Sequence, residues 1–249
     1  MLTEVRKKSH IGTVAQISSA AEDLFYITIK ASNFTAKPGQ FISIQCADYT
    51  LRRPFSIMTV QDDEITILFK LKGKGTKYIS QLSIGDKINF SGPFGNGFNI
   101  ERKKSLLIAA GVGIAPVYFL KKELDILNIE NKLIAGFTTQ KAIPQNLNID
   151  LISTDDGSYG NTGSIIRYIA EEIKNFTPEK IYACGPAVVL KNICETAENL
   201  KTETEIAMEK EMACSIGVCR GCVIELKNGQ NASVCKDGPV FKGSTIKWQ

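Results

Sequence analysis

Ser105-Leu-Leu-Ile-Ala-Ala-Gly111-Val-Gly113-Ile-Ala-Pro116, near the middle of the chain, has the pattern of a buried strand, a glycine-rich turn and the start of a helix. The continuous apolar run over 105–110 is typical of a strand covered on both faces of a parallel sheet. The glycines would let a phosphate approach backbone N–H groups, and proline suits a first helical turn. Because the spacing is G-x-G-x-x-P and not the G-x-G-x-x-G of Rossmann folds, a tight turn without a ligand remains the alternative.

Predicted strands and helices alternate after residue 100, which indicates a parallel sheet covered by helices. We predict further strands over 133–137, 150–153 and 180–183, and helices over 115–127, 164–174 and 187–200. Cys184-Gly185-Pro186 follows the last of these strands, and Asp155 follows the strand before it. Since parallel strands end at one edge of a sheet, both segments are expected where ligands collect. A capping turn is the alternative for Asp155.

The first 100 residues contain short β-rich runs separated by turn residues. These runs lie at 13–17, 24–30, 41–45, 64–70 and 85–90, a spacing that predicts an antiparallel barrel or sandwich. From about residue 208 the chain is rich in loops and cysteine. We therefore predict an α+β multidomain protein with domains at 1–100, 101–207 and 208–249.

Composition excludes several classes of protein. The chain has 249 residues, of which 43% are apolar and 22% charged, close to globular averages. The longest apolar stretch, Leu106 to Leu120, is shorter than the roughly 20 residues of a membrane-spanning helix, and the N-terminus lacks the apolar core of a signal peptide. The net charge of +4 is small and dispersed. We therefore predict a cytoplasmic chain without a membrane or nucleic-acid partner.

Four of the seven cysteines form the pattern Cys214-x4-Cys219-x2-Cys222-x12-Cys235. The C-x4-C-x2-C opening is the plant-type [2Fe–2S] spacing, and the small residues between the cysteines let backbone N–H groups turn towards the sulfurs. A zinc site is the alternative, although only Cys219 and Cys222 have the paired spacing usual for zinc. A disulfide framework does not fit an odd number of cysteines in a chain without an export signal.

A second candidate site begins at Arg53-Pro54-Phe55-Ser56 and continues through Leu68-Phe69-Lys70 to Gly73-Lys-Gly75-Thr76. An arginine there could bind phosphate and a serine a ring nitrogen, while N–H groups at a helix start could bind pyrophosphate. From chemistry alone the pattern is weak, because an arginine beside proline is usually a solvated edge residue and Gly-x-Gly-Thr is often only a turn.

Arg53-Pro54-Phe55-Ser56 resembles the R-x-[YF]-[ST] signature of the ferredoxin–NADP reductase superfamily, and Gly73-x-x-Thr76 resembles its pyrophosphate-binding element. The resemblance spans essentially the whole chain. It implies an antiparallel β-barrel FAD domain, an α/β parallel-sheet NAD domain and a small C-terminal [2Fe–2S] module. In that family the arginine contacts the FAD phosphate, the aromatic residue packs on the flavin and the serine lies near flavin N5, so Ser56 is the expected catalytic residue. The implied cofactor-binding residues are Arg53, Pro54, Phe55, Ser56, Leu68, Phe69, Lys70, Gly75 and Thr76 for FAD, and Gly111, Gly113, Pro116, Cys184, Gly185 and Pro186 for NAD.

Within the superfamily, the chain resembles the electron-transfer subunits of NAD-dependent dihydroorotate dehydrogenases. The resemblance lies in Arg52-Arg53-Pro54-Phe-Ser-Ile, Glu211-Met-Ala-Cys214 and Val234-Cys235-Lys-Asp-Gly-Pro-Val-Phe. It implies that the four clustered cysteines bind a [2Fe–2S] cluster. One departure is Phe69-Lys70, where the family usually has Tyr-Arg. Lysine keeps the charge but loses the bidentate fork, and the tyrosine hydroxyl is missing, so weaker FAD binding is expected.

The implied cofactors divide the redox chemistry between them. A nicotinamide exchanges a hydride, a [2Fe–2S] cluster passes single electrons, and FAD can do both. The sequence offers no identifiable acid–base set for deprotonating an organic substrate, so that site is expected on another chain.

The resemblance implies an FMN-containing dihydroorotate dehydrogenase catalytic subunit as the partner, in a heterotetramer with two copies of each chain. Electrons would pass through the cluster and FAD to NAD⁺ in pyrimidine biosynthesis. The alternatives are a reductase subunit of the sulfide dehydrogenase or ferredoxin-linked transhydrogenase type, and a zinc-stabilised binding module.

Overall fold

A closed barrel of six antiparallel strands forms the first part of the molecule in the computed structural model, which describes residues 9–47 and 49–248. Residues 1–8 of the predicted first domain lie outside the described residues. The strands are β1 (Ser9–Ala21), β2 (Leu24–Lys30), β3 (Phe41–Ile44), β4 (Arg53–Gln61), β5 (Glu64–Lys70) and β6 (Lys87–Phe94), with helix α1 (Lys74–Ser80) after β5. They close in the order β1-β2-β5-β4-β3-β6 around a core of isoleucine and phenylalanine, which confirms the predicted barrel.

A parallel sheet with helices on both faces forms the second part, as predicted. Its strands are β7 (Ser105–Ala110), β8 (Asn131–Phe137), β9 (Leu151–Thr154), β10 (Asn161–Thr162), β11 (Lys180–Cys184) and β12 (Glu203–Ala207), and its helices are α2 (Ile114–Ile126), α3 (Ile166–Phe176) and α4 (Ala187–Asn199). All six residues of β7 are buried, because the strand lies at the centre of the sheet between β8 and β11. The apolar run over 105–110 therefore reflects a strand covered on both faces of a parallel sheet, as the sequence predicted.

The C-terminal segment is not separate from this sheet. It contains a small hairpin of β13 (Val223–Glu225) and β14 (Asn231–Ser233). A further strand, β15 (Val240–Lys242), pairs antiparallel with β12 and becomes the seventh strand of the sheet. The cysteine-rich segment is therefore anchored at both ends, by the chain connection from β12 and by this edge strand.

Strand β12 escapes sequence prediction because it carries a charge into the interior. Glu205 is 5% exposed, and its Oε1 accepts a hydrogen bond of 3.0 Å from Nζ of Lys180, which has no exposed surface. Lys180 also pairs with Glu101 and donates to the backbone oxygen of Asn99 at 3.2 Å. A buried charge is tolerated where it is paired and hydrogen-bonded in this way. The same contacts tie the connection between barrel and sheet to β11 and β12.

The barrel and the sheet share apolar packing. Phe119 of α2 packs with the barrel core, and the rings of Phe98 and Tyr182 meet edge to face with centroids 5.5 Å apart. Tyr182 also donates its hydroxyl to the backbone oxygen of Asn99 at 2.7 Å. These contacts fix one arrangement of the two parts and leave a cleft between them. Among the described residues, no helix is long and apolar enough to cross a membrane.

Candidate cofactor sites

A cavity of about 420 Å³ lies where the barrel meets the later part of the chain. Its barrel wall consists of residues from β4, β5 and the start of α1. All nine residues predicted to contact FAD line it, namely Arg53, Pro54, Phe55, Ser56, Leu68, Phe69, Lys70, Gly75 and Thr76. The three separate motifs therefore surround one space, and their individual contacts to FAD stay predictions.

Arg53 crosses the first turn of α1 at Gly75. A Cβ atom on Gly75 would lie 3.0 Å from Nε and 3.2 Å from Cγ of Arg53, so a larger residue at position 75 would press on this side chain. The guanidinium is also held by a 2.7 Å hydrogen bond from Nη1 to the backbone oxygen of Leu51. The arrangement brings a permanent positive charge beside a helix start at the cavity wall, where a phosphate would be stabilised.

The hydroxyl of Thr76 forms hydrogen bonds with the backbone of the turn that precedes it. It accepts hydrogen bonds from the N–H groups of Lys72 at 2.9 Å and Gly73 at 3.2 Å, and donates to the backbone oxygen of Gly73 at 3.0 Å. A predicted contact of Thr76 with pyrophosphate is therefore left to its backbone N–H. Lys70, Lys72 and Lys74 also line the cavity and add positive charge on this side.

Two aromatic rings meet behind the cavity wall. Phe55 and Phe69 pack edge to face with centroids 5.8 Å apart, and Phe25 stacks on Phe69 at 5.8 Å. Phe69 is only 2% exposed and belongs to the barrel core, whereas Phe55 is half-buried. A tyrosine hydroxyl at position 69 would need a partner in this apolar setting. Phe55 is thus the ring with more surface available to a ligand.

The opposite wall of the cavity was not predicted from sequence. It is built from Val112, Met208, Glu209, Lys210, Met212 and Pro239, and Phe41 of β3 adds to the lining beside Ser56. Five of these follow β12 or precede β15, two strands that the sequence analysis did not identify. Phe41 and Met212 also pack against the core that contains Cys222 and Cys235. The cavity lining and two of the cysteines therefore share one packed core.

Each of the four clustered cysteines accepts a backbone hydrogen bond at sulfur. The N–H of Gly217 lies 3.1 Å from Cys235 Sγ, and three further N–H groups lie 3.4 Å from the sulfurs of Cys214, Cys219 and Cys222. Such bonds stabilise thiolates and the added charge of a reduced cluster. Burial raises the pKa of the Cys214 thiol, but N–H donors from residues 216, 218 and 219 outweigh it and lower the pKa to about 6.

The four sulfurs lie within interaction range of one another. Cys214 interacts with Cys219 through their side chains, Cys222 interacts with Cys235, and Cys235 also responds to the charge of Cys214. Within residues 9–47 and 49–248, the only set of three or more potential ligand atoms within 4.8 Å of one another belongs to Glu101, Glu203 and Glu205. A single zinc with four bonds of about 2.3 Å would bring all four sulfurs within about 4 Å of one another. Sulfurs spread more widely than this fit a two-iron cluster better than one zinc.

A second cavity, of about 200 Å³, lies at the carboxyl edge of the sheet. Gly111 and Pro186 line it, together with Asp155 and Glu22. Val112 and Lys70 line both cavities, so the two spaces adjoin. The predicted NAD segments therefore meet beside the predicted FAD site.

The remaining predicted NAD residues pack against one another at the carboxyl edge of the sheet, behind the residues that line the second cavity. A Cβ on Gly113 would collide with the carbonyl of Cys184, and a Cβ on Gly185 would lie 2.9 Å from that of Ala110. Pro116 is buried in the first turn of α2. Cys184 is 2% exposed, lines neither cavity, and burial raises the pKa of its thiol well above the usual value. Its predicted position near a nicotinamide stays a prediction.

Comparisons with known proteins agree with this arrangement. A family model described as an FAD-binding domain matches residues 10–110, and one described as the iron–sulfur cluster binding domain of dihydroorotate dehydrogenase B matches residues 209–247. The chain is 34% identical to the dihydroorotate dehydrogenase B (NAD(+)) electron transfer subunit of Clostridium acetobutylicum, over 97% of this chain and 98% of that protein. It is 33% identical to the protein of the same name from Streptococcus mutans, over 94% and 96%.

Solved structures share the fold at lower identity. A chain of an NADH-dependent reduced ferredoxin–NADP oxidoreductase superposes with a TM-score of 0.84 at 24% identity, covering 95% of this chain and 90% of that one. A ferredoxin NADP⁺ reductase from Neisseria gonorrhoeae gives 0.65 at 18% identity, covering 77% and 91%. The barrel and parallel sheet are thus a ferredoxin-reductase-like fold.

Proposed function

The chain belongs to the family of dihydroorotate dehydrogenase B electron transfer subunits, and from that premise we propose how its residues divide the work. It is an oxidoreductase subunit with an FAD-binding domain and an iron–sulfur binding domain. The observation that carries the proposal is the cavity whose barrel wall holds every predicted FAD residue, while Met212 in its opposite wall packs against the cysteine core. A flavin in the cavity and a cluster on the cysteines would then be neighbours, and electron exchange requires the two cofactors to be close together.

We assign the binding roles as follows. Arg53 and the neighbouring lysines neutralise the FAD phosphates, Gly75 permits their close approach, and Ser56 presents its hydroxyl to the flavin edge. Gly111 and Pro186 border the space for NAD⁺, supported by Gly113, Pro116 and the Cys184-Gly185 backbone. Cys214, Cys219, Cys222 and Cys235 hold the [2Fe–2S] cluster. When bound, FAD exchanges a hydride with nicotinamide and single electrons with the cluster, so the chain connects a one-electron donor to NAD⁺.

The name of the relatives as electron transfer subunits implies a catalytic partner subunit. We propose that this partner contains FMN, oxidises dihydroorotate in pyrimidine biosynthesis and assembles as two copies of each chain. We also propose that the complex works in the cytoplasm, since none of the seven cysteines forms a disulfide bond, as expected in a reducing compartment. Three functional modules, 1–100, 101–207 and 208–249, then correspond to FAD, NAD and cluster binding.

Co-purification tests the proposal directly. The tagged chain, prepared anaerobically, is expected to carry flavin and two irons, and to bring down an FMN protein that reduces NAD⁺ with dihydroorotate. A colourless preparation containing zinc would overturn the cofactor assignment. A coloured preparation that couples NAD(H) to sulfide or to ferredoxin, and not to dihydroorotate, would overturn the partner assignment alone.

Ser56→Ala tests the role of the hydroxyl that lines the flavin cavity. We expect the rate of flavin reduction by NADH to fall by about tenfold, because one hydrogen bond near the reacting nitrogen is lost. FAD content should stay unchanged. Stopped-flow absorbance measures the rate, and Ser19→Ala, an exposed serine at the end of β1, is the control. An unaltered rate would remove Ser56 from the proposed chemistry.

Asp155→Arg tests the choice between NADH and NADPH. Asp155 and Glu22 place two carboxylates at the second cavity, where they would repel the additional 2′-phosphate of NADPH. Since like charges at a binding surface cost several kcal/mol, we expect the NADH-to-NADPH ratio of kcat/KM to fall by about a hundredfold. Glu171→Gln, an exposed carboxylate on α3, is the control. A ratio equal to that of the unmodified protein would show that another residue makes the selection.

A further inference from the structure

The outer face of β3 carries a serine that the C-terminal segment buries. Side chains alternate between the two faces of a strand. Ile42 and Ile44 therefore point into the barrel core, whereas Phe41 packs outside the barrel, in the core that contains Cys222 and Cys235. Ser43, on the same outer face, is 1% exposed, and its Oγ lies 2.7 Å from Oγ of Ser215, which is 5% exposed. Two buried hydroxyls thus satisfy each other across the contact between barrel and cysteine loop.

Ser215 is held in a conformation that its own residue type disfavours. Its φ is +60°, in the left-handed region, and it directly follows Cys214. A non-glycine residue persists there only where its surroundings impose the conformation. The Cys214 and Cys235 sulfurs bind backbone N–H groups of this loop from one side, and the Ser43 hydroxyl binds it from the barrel.

Strand β3 connects this contact to the predicted flavin site. It pairs with β4, where Ser43 lies opposite Pro54 and Phe41 lies opposite Ser56. A continuous chain of covalent and hydrogen bonds therefore runs from β4 through Ser43 and Ser215 to Cys214. If the cysteine loop (residues 214–221) moves away from β4, the hydrogen bond between Ser43 and Ser215 must break, because this bond joins the loop to β3.

We propose that the Ser43–Ser215 hydroxyl pair is a positioning contact that holds the cysteine loop at one distance from β4 and so sets the rate of electron exchange between cluster and flavin. The inference rests on the proposed function, which supplies the two cofactors. Neither hydroxyl lines the flavin cavity. Both act through the strand and the loop that carry the cofactor-binding residues.

Amide hydrogen exchange of residues 214–221 tests the contact without any need for a bound cofactor. Ser43→Ala and Ser215→Ala each leave one buried hydroxyl unpaired, whereas the double variant leaves none. We expect each single variant to exchange about tenfold faster, and the double variant to exchange more slowly than the product of the two effects. Ser91→Ala is the matched control, because Ser91 lies opposite Ser43 on β6 and is half-buried. Equal exchange in all these proteins would overturn the proposal.

Rapid mixing with NADH separates positioning from general damage to the fold. NADH gives a hydride, and thus two electrons, to the flavin, and single electrons then reduce the cluster. In the single variants we expect flavin reduction and the KM for NADH to stay within about twofold, while cluster reduction slows about tenfold because the loop is docked less of the time. Ser43→Thr, which keeps a hydroxyl, is expected to restore the rate. Cluster reduction at the unmodified rate in Ser215→Ala would overturn the proposal, whereas an unmodified protein without flavin or iron would contradict the proposed function instead.

Discussion

Replacing Cys219 with serine is expected to remove the iron from the protein while FAD stays bound. Cys219 is the exposed member of the Cys214–Cys219 pair, and its sulfur accepts the N–H of Gly221 at 3.4 Å. A serine oxygen is a harder and weaker ligand for an iron–sulfur cluster than a thiolate. Iron should fall from two atoms per chain to near zero, and dihydroorotate-dependent NAD⁺ reduction should fall by about a hundredfold or more.

The spectrum separates the two cofactors in this variant. The flavin band should remain and should still bleach with NADH, because the cavity residues of β4 and β5 are unchanged. Cys194→Ala is the control: Cys194 is a buried thiol of α4, packed against Gly243 and outside the cysteine loop, and its loss should leave iron content unaltered. Full iron content in Cys219→Ser would contradict the assignment of this ligand.

Gly113→Ala is expected to destabilise the whole molecule. A Cβ at this position would lie 2.6 Å from the carbonyl carbon of Cys184 and 2.8 Å from the backbone nitrogen of Gly185. Both are backbone atoms, so no side chain can move aside, and the ends of β7 and β11 must separate. Overpacking of this kind costs about 3 kcal/mol, which lowers Tm by roughly 6–12 °C in a chain of this size.

Gly111→Ala, in the same turn, separates the collision from a general effect on the glycine motif. An added Cβ on Gly111 meets no atom within 4 Å, and the only cost is its φ of +55°, about 1–2 kcal/mol. Calorimetry of both variants should therefore place Tm lowest for Gly113→Ala, whereas NADH affinity should fall in Gly111→Ala as well, because Gly111 lines the second cavity. Equal Tm values for the two would contradict the proposed close contact with Cys184.

Much of the fold follows from local patterns. The apolar run 105–110 predicts a central strand because a strand covered on both faces can carry few polar side chains. The helices at 114–126 and 187–199 lie within one residue of the predicted ranges at each end. Strands β12 and β15 were not predicted. The charge of Glu205 hides β12 as a buried strand unless its partner Lys180, 25 residues earlier, is known to lie beside it. Strand β15 has only three residues, and it is recognised as a strand only by its pairing with β12.

The candidate sites divide in the same way. The spacing of the four cysteines predicts a cluster site from one short segment, whereas the Arg53–Ser56 motif predicts a flavin site only through its resemblance to a known signature. The opposite wall of the flavin cavity comes from Val112, residues 208–210, Met212 and Pro239, which no local pattern joins.

Residue types and short spacings alone determined that this chain alternates strands and helices after residue 100, and that it carries thiolates, glycine turns and an arginine suited to cofactors. Those properties depend on backbone periodicity and on chemistry within a few residues. Only the folded chain decided that Cys235 approaches the other three cysteines, that β15 completes the sheet, and that Ser43 meets Ser215 across 172 residues. Such contacts depend on how separate elements pack around shared cores, and packing joins residues that neither periodicity nor spacing connects.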